Sequence, residues 1–178
     1  DFRINYRAGI DAKGQLSGVD IVQLCRAGWS MDLTLPVADR AMLHADNAYF
    51  IPNMRVESHR LRTNTQSNTA FRGFGGPQGM VGIERVLDHV AHVVGRDPVE
   101  VRRLNYYRAA DKKVSARGKR FGSRYSPKAK ELGQQTTHYG MPVEDFVLDG
   151  LTEQLLKNSD YSKRISGIAK LNDEYDVL

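Results

Sequence analysis

The run TAFRGFGGPQG, residues 69–79, constrains this chain more than any other stretch. It packs two phenylalanines, one arginine and four glycines into one short segment. Glycine brings no side-chain contact and loses the most backbone freedom on folding, whereas phenylalanine gains by burial. A sequence that alternates them has to bring backbone close to something a side chain would strike. Upstream, NMRVESHRLRTN alternates and predicts a long polar strand over residues 53–64. Downstream, Pro77 suits a first helical turn, and Met80, Ile83, Leu87, Val90 and Val94 trace one helical face that Gly95 ends. A strand, a glycine turn and a helix start in that order aim unpaired N–H groups, backed by the positive end of a helix dipole, at an anion. Arg72 adds a planar fork of donors. Phe74 stands between Gly73 and Gly75, so its neighbours leave its ring free to stack on a flat ligand, while Phe71 reads as the core anchor. The blander alternative is a tight turn over two buried rings, and spacing alone favours it. Two phosphate loops are excluded: GFGGPQG lacks the G-x-G-x-x-G order, and no Lys-Ser or Lys-Thr follows it.

The rest of the chain predicts an α+β (mixed α/β) fold, with an N-terminal hairpin and strands followed by helices. Residues 2–27 read as a hairpin around the DAKG turn, its second arm apolar enough to be covered on both faces. Residues 35–49 look helical, with Pro36 in the first turn. Asp97-Pro98-Val99-Glu100 starts a further helix with a capping-box pattern. Pro142 is expected to open another, carrying Val143, Val147, Leu151 and Leu155, and a last helix carries Tyr161, Ile165, Ile168 and Leu171. A chain that opens inside a strand predicts a sheet continued elsewhere, as in a piece of a longer protein.

Charge is concentrated rather than spread. Residues 111–130 hold eight basic side chains and one acidic, whereas 131–178 hold four and nine. The tract over 109–137 therefore reads as a basic, solvated loop or insert. Phe121 and Tyr125 within it leave open a nucleic-acid-binding module. The single cysteine, Cys25, excludes an internal disulfide and an iron–sulfur cluster held by this segment alone. It predicts a small buried thiol in a reducing, cytoplasmic setting. The five histidines lack a third ligand at metal-binding spacing and read as helix-surface residues, with no direct metal ligand in this segment. Asp39, Asp46 and Asp88 read as helix-surface acids, and Trp29 as a core or interface ring.

AFRGFGGPQ, preceded by SNT, closely resembles the cofactor-facing segment of the molybdenum hydroxylases, the xanthine dehydrogenase and aldehyde oxidase family. MLHADNAYFIPNMRVESHRLRTNTQSNTAFRGFGGPQGM and DPVEVRRLNYY follow the same pattern in order, so the resemblance covers residues 2–108, and THYGMPVEDFVLDGLTEQL more loosely. It implies a segment of a larger molybdopterin-binding domain: residues 1–108, then the insert over 109–137, then a helical part of the same domain over 138–178. It also implies that Arg72 contacts the molybdenum–molybdopterin cofactor and that Phe74 packs on an aromatic substrate. Gly76 resembles xanthine dehydrogenases, where aldehyde oxidases tend to carry phenylalanine; an aldehyde oxidase-like hydroxylase is the alternative. The activity implied is hydroxylation of a purine, hypoxanthine or xanthine, with oxygen from water. Electrons pass through 2Fe-2S clusters and FAD to NAD in a partner domain or subunit of an oligomer that has no membrane contact. The family's glutamate base has no counterpart in these residues, so no catalytic residue is expected here and the segment alone should be inactive.

Overall fold

The computed structural model describes residues 1–109 and 135–175. The expected hairpin is present as β1, Phe2–Ile10, and β2, Leu16–Gly28. Asp11 makes the turn: its carboxylate accepts from the backbone N–H groups of Lys13 and Gln15, and Gly14 takes the left-handed φ of 84°. After β2 come α1, Thr34–Leu43, and β3, Met54–Arg62. β2 is the central strand, antiparallel to β1 and parallel to β3. A parallel pair needs a crossover, and α1 is part of it. The chain is thus a hairpin whose second arm also opens a βαβ unit, a topology that periodicity alone does not specify.

The core lies on one face of this sheet. Leu16, Val19 and Ile21 of β2 pack with Ile83, Val86, Leu87 and Val90 of α2, Gly76–Val94. Helix α3, Pro98–Asn105, closes the end of that core with Val101, and Asp97 caps it by accepting from Val99 N–H at 2.7 Å. Glu100 turns outward to Arg96, so only half of the expected capping box forms. Arg102 of α3 donates to Glu84 and Asp88 of α2, both at 2.7 Å. Burial opposes the Arg102 charge, but these two carboxylates outweigh it and raise its pKa. On the other face of the sheet Asp20 pairs with Arg7 and Arg55, which leaves that face polar.

Two elements differ from the expectation. Helix α1 ends at Leu43 with His44 as its C-cap, and the chain does not stay helical to residue 49: Asp46 is buried and Asn47 takes a left-handed φ of 45°. Pro142 opens no helix: Thr137 and Met141 close a small turn, with Thr137 N–H donating to Met141 O and Met141 N–H to Thr137 Oγ1. The next helix, α4, is Leu148–Asn158, followed by α5, Tyr161–Tyr175. The described chain divides into two units, Asp1–Glu144 and the helical pair beginning at Asp145. In that second unit Leu151, Leu155, Ile168 and Leu171 are exposed. The basic tract expected over 111–130 lies outside the described residues.

Candidate functional site

The glycine loop sits at the carboxyl ends of the parallel strands β2 and β3, where open α/β sheets place their ligands. The segment leaving β3 is stitched onto the end of β2. Thr63 N–H donates to Gly28 O, Trp29 N–H to Thr65 O, and Asn68 N–H to Ala27 O, all within 3.0 Å. Ser30 and Ser67 share a hydroxyl bond of 2.6 Å. Gly28 is required here, since a Cβ would lie 2.3 Å from Gln66 O. The tether delivers the chain to residue 69 in a fixed position.

The loop then turns through three consecutive residues with positive φ: Gly73 at 93°, Phe74 at 49° and Gly75 at 94°. Phe74 N–H donates to Phe71 O and Gly76 N–H to Gly73 O. A bulky residue in the left-handed region costs about 1–3 kcal/mol, and such residues cluster at functional sites. Phe74 is half-buried and outside the main hydrophobic cluster. Phe71, expected to anchor the core, is instead 81% exposed. Trp29, expected in the core or at an interface, is 63% exposed and is not in the core. With Phe71 on the surface and Phe74 only half-buried, the reading of a turn over two buried rings does not hold.

The glycines have a second explanation that spacing did not reveal. A Cβ at Gly75 would sit 1.9 Å from Val37 O, and one at Gly79 would sit 2.2 Å from Ala41 O. These two glycines let α2 lie directly on the backbone of α1. Gly76 is buried in the same contact, its missing Cβ 3.3 Å from His44 Cδ2 and 3.6 Å from Arg40 Nε. Arg40 donates from Nε to His44 Nε2 at 3.3 Å. Close helix packing thus brings Arg40 and His44 of α1 to the glycine pair, an arrangement the sequence reading missed.

The glycine loop carries no acid of its own. The first turn of α2 carries no acidic residue and no side-chain cap. Residues 63–83 contain no Asp or Glu. Arg72 is exposed and has no ion-pair partner among the described residues. Gln78 Oε1, also in that first turn, is buried without a hydrogen-bond donor among the described residues. An uncompensated helix dipole and a free guanidinium suit negative charge, and the strained ring of Phe74 suits a planar ligand. An open pocket of about 730 Å³ lies at the opposite end of the sheet, and its cations Arg7 and Arg55 are already paired with Asp20.

The sequence model of the molybdopterin cofactor-binding domain matches residues 1–106. The chain belongs to that family. As a molybdopterin cofactor-binding segment it is 40% identical over 173 residues to the xanthine dehydrogenase of Drosophila subobscura, covering 97% of this chain and 11% of that protein. It is 34% identical over 170 residues to a nicotinate hydroxylase of Emericella nidulans, covering 96% and 11%. The chain thus spans about a tenth of the length of the curated relatives it matches. Among solved structures it superposes on the aldehyde oxidoreductase of Desulfovibrio gigas with a TM-score of 0.67 at 26% identity, covering 95% of this chain and 16% of that one. The Desulfovibrio desulfuricans aldehyde oxidoreductase gives a TM-score of 0.70 at 24% identity over 92% of this chain and 15% of that one, a likeness of fold. The mixed α+β fold expected from the sequence is thus a portion of the molybdenum hydroxylase fold.

Two other expectations are corrected. Asp46 is buried, at 3% exposure, and is no surface acid. Its Oδ2 accepts from Tyr107 OH at 2.7 Å and from His138 N–H at 3.1 Å. His138 Nδ1 also lies within ion-pair distance at 3.1 Å, though not aligned as a hydrogen bond, so His138 is a loop residue against the core rather than a helix-surface one. Asp88 is engaged by Arg102 and Asp39 by Arg60. No group of three or more metal-binding side chains occurs among the described residues. Cys25 is a buried thiol, and burial raises its pKa. No described helix is long and apolar enough to cross a membrane.

Proposed function

We propose that this chain is the segment of a xanthine dehydrogenase-like enzyme that presents Arg72 to the molybdenum–molybdopterin cofactor and Phe74 to a purine. The cofactor, when bound, supplies the two-electron chemistry by which oxygen from water is transferred to the heterocycle. The residues of this chain do the positioning. Phe74 holds the plane of the ring from one side, and its left-handed backbone is the observation that carries this reading. Arg72 and the bare start of α2 meet negative charge. The tether from Gly28 to Asn68 keeps the loop from drifting, and misplacement by about 1 Å can cost on the order of a hundredfold in rate.

Electrons then leave through 2Fe-2S and FAD groups to NAD, all held by other parts of a larger cytoplasmic, oligomeric assembly. No acid–base residue is assigned within this chain. Identity to xanthine dehydrogenases and to a nicotinate hydroxylase supports an electron-poor nitrogen heterocycle as the substrate class. An aldehyde substrate is the second reading, favoured by the superposition on aldehyde oxidoreductases.

Two substitutions in the complete enzyme test the assignment. Phe74→Ala should lower kcat/KM for xanthine at least two- to tenfold, the kinetic equivalent of losing about 0.5–1.5 kcal/mol of stacking. Xanthine turnover equal to wild type would remove the stacking role. Arg72→Ala should lower the molybdenum and pterin content of the purified protein, and unchanged content with unchanged activity would remove the cofactor contact.

A further inference from the structure

The core face of the parallel pair β2–β3 changes character along its length. Toward the amino ends the cross-strand neighbours are Val19 and Met54, then Ile21 and Val56. Toward the carboxyl ends they are Gln23 and Ser58, then Cys25 and Arg60. Strand alternation keeps all of these on one side of the sheet. Gln23 is buried at 1% exposure, and three buried polar atoms in this seam have no hydrogen-bond partner among the described residues: Gln23 Oε1, Ser58 Oγ and Arg60 Nε. Unpaired buried polar groups are costly, and three in adjoining positions call for a shared partner. Their remaining bonds gather them. Gln23 Nε2 donates to Ala41 O of α1 at 3.3 Å, and that carbonyl can only accept, which fixes the orientation of the amide. Arg60 folds back along β3: its Nη1 donates to Ser58 O at 3.2 Å, and its Nη2 pairs with Asp39 of α1. Its Nε, on the same planar group, is drawn toward Ser58.

We infer that the seam between β2, β3 and α1 binds one buried water molecule. The three atoms are an acceptor, a hydroxyl and a donor. Water donates to Gln23 Oε1, accepts from Arg60 Nε–H and shares its third bond with Ser58 Oγ; three bonds are the usual complement of a buried water. A cation is opposed by the guanidinium and an anion by the Gln23 oxygen, so a neutral guest fits best. The site has a structural consequence. By holding Oε1, the water keeps Nε2 of Gln23 on Ala41 O. The same carbonyl is the one that α2 rests on, since a Cβ at Gly79 would lie 2.2 Å from it. One water thus helps set how deep α1 sits on the sheet and where α2 meets it, whatever ligand the glycine loop takes.

The test joins a crystal structure of the complete enzyme, at a resolution that orders buried solvent, to hydrogen exchange of the same protein. One water should lie about 2.7–3.2 Å from all three atoms. Density showing Ser58 Oγ bonded directly to Gln23 Oε1, with no water between them, would overturn the inference. Two serine variants probe the site in solution. Ser58→Val puts a methyl group where the water sits and strands Gln23 Oε1 and Arg60 Nε, so amides of β3 and α1 should exchange about tenfold faster or more. Ser58→Ala deletes the hydroxyl but leaves the space, so the water stays on Gln23 and Arg60 and exchange should rise less. Wild-type exchange in Ser58→Val, or equal acceleration in the two variants, would also overturn it. Should Ser58→Val fail to fold, the density in the wild-type enzyme decides alone.

Discussion

At the scale of single residues, the glycine loop holds both what its sequence suggests and what it hides. Phe74 carries the strain that a functional ring would, and Gly73 and Gly75 bracket it as the alternation suggested. An aromatic ring at residue 71 predicts burial, but Phe71 is exposed, because burial depends on which side of the turn a residue falls. That was set by three positive φ angles in a row, which no periodicity encodes. The strain makes a prediction. Phe74→Gly relieves the left-handed backbone while deleting the ring, so thermal stability should hold or rise by up to about 1 kcal/mol while xanthine turnover falls. A marked loss of stability would mean that the ring serves the core. Asp46 teaches the same lesson from the other side. An acid in a polar stretch reads as surface, yet Tyr107 and His138, far along the chain, meet it in the interior. Asp46→Ala should destabilise the protein by about 3 kcal/mol, read from the denaturant midpoint, because it strands buried partners.

At the scale of elements, most of the α/β pattern was legible. β1, β2, β3, α2 and α3 follow alternation, 3.6-residue periodicity, proline at helix starts and glycine at a helix end, all of which are local physics. Pro142 follows a turn instead of opening a helix, since proline suits both, and the pairing of Thr137 with Met141 decides between the two. The glycines of α2 serve helix packing as well as the loop. Gly79→Ala should cost about 1–3 kcal/mol or more, because its Cβ would meet Ala41 O at 2.2 Å. Gly167→Ala on α5, where a Cβ meets nothing within 4 Å, should instead stabilise that helix by about 1 kcal/mol. Paired melting curves for the two variants check this, and similar shifts would mean that α2 and α1 are not in close contact.

At the scale of the whole molecule, two buried tyrosines link stability to alkaline pH. Burial, reinforced for Tyr49 by Glu84 and for Tyr107 by Asp46, raises both hydroxyl pKa values above their ordinary range. The folded state therefore holds these protons where the unfolded chain releases them. Their contribution is complete below about pH 10 and is lost as the pH rises beyond it, at about 1.4 kcal/mol per pH unit for each tyrosine. Stability measured across that range should fall less steeply in Tyr49→Phe and less again in Tyr49→Phe/Tyr107→Phe. An unchanged slope would show that the hydroxyls reach water in the folded state.

By itself, the sequence determined the family pattern and most of the local elements, because each depends on neighbours a few residues apart. Only the tertiary structure decided that β2 pairs parallel with β3, that α2 lies bare-backed on α1, and that Arg40 and His44 stand beside Gly76. Those facts come from contacts between residues dozens of positions apart, where shape and excluded volume rather than propensity select the arrangement.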